Sequence, residues 1–180
     1  MIVEEFEIPG LLLFKPKVFE DDRGYFFETF RDDVFRKHAG DIQFVQENQS
    51  YSIKNVLRGL HFQAAPYGQG KLVRVTKGKV LDVAVDLRPN SAHFGKHVAV
   101  ELSEENKMQF WIPAGFAHGF SVLSEDAVFC YKCTQYYHAE SDRTLLYNDE
   151  ELNINWKIEN PQVSPKDLNG IPFSQIKNFL

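Results

Sequence analysis

The sequence predicts an all-β fold, a sandwich or barrel of short strands with a few short flanking helices. Short apolar or alternating runs recur through the 180 residues with Gly, Pro, Asn and Asp between them, the pattern of closely spaced strands and not of a βα array. Helical periodicity is weak, and aromatic residues make up 14% of the chain, a load that only a core or an interface can absorb. With no Pro/Gly/Ser-rich divide, residues 1–180 read as one domain.

In order, strands are expected at Leu11 to Phe14 and Tyr25 to Phe30. Arg31 to His38 carries the best helix signal, with Asp32 or Asp33 to cap it and Gly40 to end it. Further strands are expected at Ile42 to Val45, Val56 to Gln63, Lys71 to Thr76, Val80 to Leu87, Val98 to Leu102, Met108 to Ile112, His118 to Leu123 and Ala127 to Cys133. Within Lys79 to Leu87 the odd positions are mostly apolar and Asp82 and Asp86 share the other side, which predicts one buried and one polar face. Near the end, Ser164-Pro165-Lys166-Asp167 offers a cap followed by proline at the first helical position.

Composition excludes several functions. A formal charge of −5 speaks against a general nucleic-acid surface, so any phosphate must be held by a few chosen residues. No apolar run is long enough to span a membrane, and Glu4 and Glu5 stand where a secretory signal carries bases, which predicts a cytoplasmic protein. Cys130 and Cys133 lie three apart in one strand, on opposite faces, and read as reduced packing residues.

Chemistry concentrates where polar groups interrupt apolar strands. Val56 to Gln63 and Gly70 to Arg74 place Arg58, His61 and Lys71 on adjacent runs, an arrangement that is costly unless these groups face a shared cavity. Trp111 to Phe120 contains the spacing P-x-G-x-x-H, a turn that feeds His118 into the next strand. This resembles the second motif of the cupins, whose fold is a double-stranded β-helix, or jelly roll. Metal-binding cupins carry H-x-H in their first motif. Here the equivalent is His61-Phe62-Gln63, with Lys71 next, so no metal is expected. His61, His118, Lys71, Arg58 and Tyr131 together suit deprotonation beside a carbonyl, with imidazole as base, ammonium on the enolate oxygen and a phenol returning a proton.

Over nearly its whole length the chain resembles the dTDP-4-dehydrorhamnose 3,5-epimerases. The resemblance runs through Phe19 to Glu28, Phe44 to Asn48, Val56 to Gln63, Gly70 to Val75, Asp82 to Arg88, Trp111 to Phe120 and Tyr131 to Tyr137. It implies inversion of C3 and C5 of dTDP-4-dehydro-6-deoxy-D-glucose, a dTDP-linked 4-keto-6-deoxyhexose, without a cofactor. His61 matches the family's base, Asp167 the acid that orients it, Lys71 the cation near O4 and Tyr131 the proton donor. Arg23, Arg58 and Lys166 match positions that hold the diphosphate; Glu28, Gln46 and Asn48 can read polar edges; Tyr137 matches the aromatic stacked on thymine. His118 lines the cavity, and Asp142 falls where relatives place a ligand-contacting acid. The resemblance also implies a homodimer, with the segment around Tyr25 to Phe30 crossing to the partner.

One geometric conflict stands. In an ideal strand Arg58 and His61 face opposite sides, so either Gly59 marks a bulge or Arg58 serves a site shared with the partner. His93, in Ala92-His93-Phe94-Gly95, departs from the family pattern in a loop and reads as a surface residue, as does the segment after Tyr137. A single-centre epimerase, a non-catalytic nucleotide-sugar binder and a metal-dependent cupin are the alternatives to double inversion.

Overall fold

The computed structural model describes residues 1–180. A six-stranded sheet runs in spatial order β1 (Ile2–Glu5), β2 (Leu12–Lys15), β10 (Gln109–Ile112), β7 (Lys71–Lys77), β12 (Asp126–Cys133) and β5 (Gln46–Ile53). A second, five-stranded sheet runs β13 (Asp142–Thr144), β6 (Val56–Gln63), β11 (Phe116–Val122), β8 (Lys79–Asp86) and β9 (His97–Ser103), with β14 (Gln162–Val163) parallel against β6. A hairpin of β3 (Val18–Asp21) and β4 (Gly24–Phe27) pairs only with itself. From β5 to β8 the chain alternates between the two sheets, which makes the fold the expected roll.

Three apolar layers hold it. Between the sheets, Val73, Val75, Phe110 and Phe129 of the first meet Ala84, Phe116, Phe120 and Val122 of the second. The outer face of the second sheet, through Leu60, Leu81, Val83 and Val85, is covered by the C-terminal chain with Leu145, Leu152, Trp156 and Ile176. On the outer face of the first sheet, Leu12, Phe14, Leu72 and Trp111 take Phe35 from helix α1 (Asp32–Ala39). Phe35 is fully buried among Phe14, Phe30, Phe44 and Trp111, so truncating it to alanine costs about 3–5 kcal/mol. No helix is long and apolar enough to cross a membrane.

Several elements differ from the expectation. Arg31, not Asp32 or Asp33, occupies the cap of α1 and makes no side-chain capping bond; both aspartates lie in the first turn, where their charge favours the helix N-terminus. Gly40 ends that helix with a positive φ, as expected. Residues Ile42 to Val45 are not a strand: Ile42 and Phe44 pack around Phe35 and Trp111 instead. The strand expected at Tyr25 to Phe30 is β4 and stops at Phe27. Strand β8 has no solvent face at all, because its even positions point into the roll and its odd positions under the C-terminal chain, leaving Asp82 and Asp86 fully buried. Strand β5, Gln46–Ile53, was hidden by its polar composition. Cys130 and Cys133 are free, buried thiols, with Cys130 beside Gln49 and Cys133 beside Asn48, on opposite faces of β12.

Candidate active site

At one end of the roll the inward faces of both sheets turn polar. On β6 the pairing with β11 shifts register: His61 stands opposite His118, but Arg58 stands opposite Phe120. Gly59 and Leu60 on β6 therefore oppose the single Gly119 on β11, the signature of a bulge. It flips the alternation, so that Leu57 and Leu60 both point outward into the C-terminal layer while Arg58 and His61 both point inward. Gly59 makes this possible. Its φ is +125°, and a Cβ there would lie 2.5 Å from the Cα of Gly119.

His61 Nε2 lies 2.6 Å from Asp167 Oδ1. Helix α2 (Pro165–Leu168) delivers this aspartate: Ser164 caps it by accepting the Asp167 N–H at 3.1 Å, with Pro165 at the first helical position, as the sequence indicates. The other carboxylate oxygen, Oδ2, accepts the Gly59 N–H at 3.1 Å, so the bulge and the dyad share a group. Asp167 is 2% exposed. Burial works to raise its carboxyl, but the bonds from His61 and Gly59 and the charge of His61 prevail and hold it below the ordinary carboxylate value. With Nε2 committed to Asp167, Nδ1 is the imidazole nitrogen left to act on a substrate.

A second histidine–carboxylate pair lies deeper. His118 Nε2 is 2.9 and 3.0 Å from the two oxygens of Asp82. Burial pushes the His118 imidazole below its usual value, against the pull of Asp82 and with help from nearby Lys71 and His61. Asp82 is a site residue that the sequence reading missed. Its signal was an aspartate in an otherwise apolar strand, assigned there to a polar face.

The facing sheet contributes Lys71, Tyr131, Cys133, Asn48 and Gln46. Lys71 and Cys133 are direct cross-strand partners, as are Tyr131 and Asn48. Burial pulls the Lys71 ammonium below its ordinary value, while Cys133, Asp142 and Asp82 work in the other direction. Burial raises the Tyr131 phenol, as does Cys133; the Asn48 amide and the Arg58 guanidinium oppose the shift. The Cys133 thiol is raised by burial too, and is not poised as a nucleophile. No group of three or more His, Cys, Asp or Glu side chains is arranged to hold a metal ion, and the Lys71 ammonium beside His118 makes the pocket a poor fit to a cation.

The rim holds Tyr137, Asp142, Lys166 and Arg58. Asp142 accepts from Tyr137 Oη at 3.1 Å and from Lys166 Nζ. Arg58 Nε donates to Ser52 Oγ at 3.0 Å. Gln46 accepts the Tyr137 N–H at 3.0 Å and donates to Asn48 at 3.2 Å, so both ends of its amide have partners within the chain. Arg23 and Glu28 are not brought to this pocket. Arg23 is bound to Asp21 on the tip of the β3–β4 hairpin, and Glu28 is exposed just beyond it. His93 lies in a loop with its N–H on Ser91, half-buried where a surface side chain was expected.

A family profile described as dTDP-4-dehydrorhamnose 3,5-epimerase matches residues 5–175. The protein of that name from Shigella flexneri is 52% identical over the full length of both chains. Among solved structures, the dTDP-6-deoxy-D-glucose-3,5-epimerase of Legionella pneumophila, in complex with dTDP-4-keto-L-rhamnose, superposes with a TM-score of 0.95 at 47% identity, over 99% of this chain and 96% of the other. A 3'-monoepimerase from Streptomyces bikiniensis, in complex with dTDP-quinovose, gives 0.91 at 30% identity over 96% and 88%.

Proposed function

The chain belongs to the dTDP-4-dehydrorhamnose 3,5-epimerase family, and on that premise we propose that its pocket inverts C3 and C5 of dTDP-4-dehydro-6-deoxy-D-glucose to give dTDP-4-dehydro-L-rhamnose. The C4 ketone acidifies both neighbouring C–H bonds, so each inversion passes through an enolate and needs no redox cofactor. One observation carries the assignment of roles: His61, held by Asp167 from helix α2, stands on one sheet and Tyr131 on the other. Inversion requires a base on one side of the sugar ring and an acid on the other.

In this reading His61 Nδ1 removes the proton while Asp167 fixes the tautomer and stabilises the imidazolium. Lys71 sets its charge against O4 as the enolate forms, an interaction strengthened in a dry site and supplying several kcal/mol of the barrier reduction. Tyr131 returns a proton from the opposite side, and its raised pKa keeps that proton on the phenol. Arg58 and Lys166 hold the diphosphate, Tyr137 offers its exposed ring to thymine, and Asn48, His118 and Asp142 position the sugar.

The proposal includes a homodimer. The β3–β4 hairpin exposes Phe19, Tyr25 and Phe26, the last to 70%, and carries Arg23 and Glu28 away from their own pocket; a partner's pocket would receive both. The proposal also includes a cytoplasmic location, because the substrate is a nucleotide-linked sugar and both cysteines are free thiols.

The test is NMR of dTDP-4-dehydro-6-deoxy-D-glucose with the protein in deuterated water. Deuterium at C3 and C5 with an L-configured product is the expected result. Label and inversion at one carbon would replace the reading with a mono-epimerase, and no exchange would leave a binding protein.

A further inference from the structure

We infer that Gln63 is a positioning residue that fixes the segment bearing Tyr137 and thereby sets the affinity for the nucleotide half of the substrate; this rests on the placement of thymine on Tyr137 proposed above. Gln63 lies two residues beyond His61, where metal-binding relatives in the wider superfamily carry a histidine. It points to the same side of β6 as His61 and is 8% exposed. Its amide makes no hydrogen bond to another side chain. Nε2 donates to the carbonyls of Tyr67 at 2.7 Å and Tyr136 at 3.2 Å, and Oε1 accepts the N–H of His138 at 2.8 Å. Both amide hydrogens and the carbonyl are thus spent on main chain.

The segment held this way follows β12. On its near side, Thr134 and Gln135 are tied to Gly70 and Gln69; on its far side, the Ser141 carbonyl accepts from Ala64. Between those ties, the Tyr136 carbonyl and the His138 N–H rest on Gln63, and the Tyr137 N–H rests on Gln46 from the opposite sheet. Two glutamines from facing sheets therefore clamp three successive residues, with Tyr137 in the middle and itself 60% exposed. Tyr67 and His138 complete the clamp. Their rings stack at 3.7 Å and 6° directly beside the Gln63 bonds, and His138 Nδ1 is 3.0 Å from Ser141 Oγ. A ring that must stack on a base gains affinity from being held in place beforehand, because the ordering is not charged to binding.

The role predicts a split. Gln63→Leu leaves two carbonyls and one N–H unmet and loosens Tyr137 without touching His61, Lys71 or Tyr131. Calorimetry with dTDP as the probe is expected to show the dissociation constant rising about tenfold, with KM following it and kcat staying within about twofold of the parent. A fall in kcat at unchanged KM would overturn the inference, as would unchanged dTDP affinity in a protein whose Tyr137→Ala variant binds weakly. If Tyr137→Ala binds dTDP normally, the thymine placement itself fails and the inference falls with it. Should Gln63→Leu not fold, His138→Ala, which removes the stack on Tyr67 at the surface, decides in its place: weakened dTDP binding with kcat retained supports the clamp, and unchanged binding overturns it.

Discussion

Arg58 and His61 face the same cavity although they lie an odd three positions apart, because β6 carries one extra residue at Gly59 opposite Gly119. A methyl group at position 59 would meet the backbone of Gly119 and His118 at 2.5 and 2.9 Å, at a φ that side chains rarely adopt. Neither neighbour is a flexible side-chain end that could yield. Gly59→Ala is therefore expected to cost about 2–3 kcal/mol in stability and to lower kcat/KM by an order of magnitude or more, since the Gly59 N–H also holds Asp167. Thermal unfolding together with turnover checks both. Parent-like activity would detach the bulge from the placement of His61.

How much of this was legible beforehand depended on whether a side chain announces its own surroundings. The strand series, Gly40 as terminator and the Ser164 cap could be read because each follows from local backbone chemistry. The Gly59 bulge was one of two readings left open by parity alone, and pairing with β11 decides between them. Asp82 misled: alternation says that two faces differ, not that the polar one is wet, and the C-terminal layer over β8 lies more than sixty residues downstream. Strand β5 was invisible because its inward residues, Gln46, Asn48 and Ser52, line a polar cavity and so lack the apolar alternation that marks a strand. Arg23 and Glu28 came from family resemblance, and no local chemistry could say that their hairpin leaves its own pocket.

The dyad yields a sharper test than truncation. In Asp167→Asn the amide must place its oxygen toward the Gly59 N–H, because its NH2 would otherwise confront that donor. The NH2 then points at His61 Nε2 and donates to it, forcing the proton of neutral imidazole onto Nδ1, the nitrogen needed as base. The variant is expected to lose on the order of a thousandfold in kcat while binding dTDP as the parent does. Deuterium incorporation at C3 and C5 is the readout; exchange at the parent rate would remove Asp167 from the mechanism.

The turn that feeds His118 into β11 rests on an ion pair. Asp86 is fully buried and accepts from Arg88 Nε at 2.9 Å, Arg88 Nη2 at 2.6 Å and Ser91 Oγ at 2.6 Å. Arg88 in turn covers the Phe116 ring and lies against Gly115. Burial works to raise the Asp86 carboxyl, but its bonds from Arg88 and Ser91 leave it below the ordinary value. A carboxyl lowered in the folded state adds stability that is present above its unfolded pKa and is lost as the pH falls through the folded one. Asp86→Asn is accordingly expected to destabilise the protein by about 2–4 kcal/mol at neutral pH, with the gap to the parent closing as the pH drops below about 4. Melting curves across that range test it, and a gap independent of pH would show that the charge contributes nothing.

Lys71 and Tyr131 must both be protonated for the proposed chemistry, and burial moves them in opposite directions. The ammonium loses its proton more readily than usual, whereas the phenol holds its proton more firmly. Both shifts favour Lys71 failing before Tyr131 as the pH rises, and the alkaline limb of kcat is expected to belong to it. Lys71→Arg keeps a cation that does not titrate in this range, so the limb should move up toward that of Tyr131 even though the fork fits O4 less well and kcat falls. In Tyr131→Phe the limb should stay where the parent has it while inversion is impaired. A parent limb that survives Lys71→Arg unchanged would assign it to another group and remove the ammonium from O4.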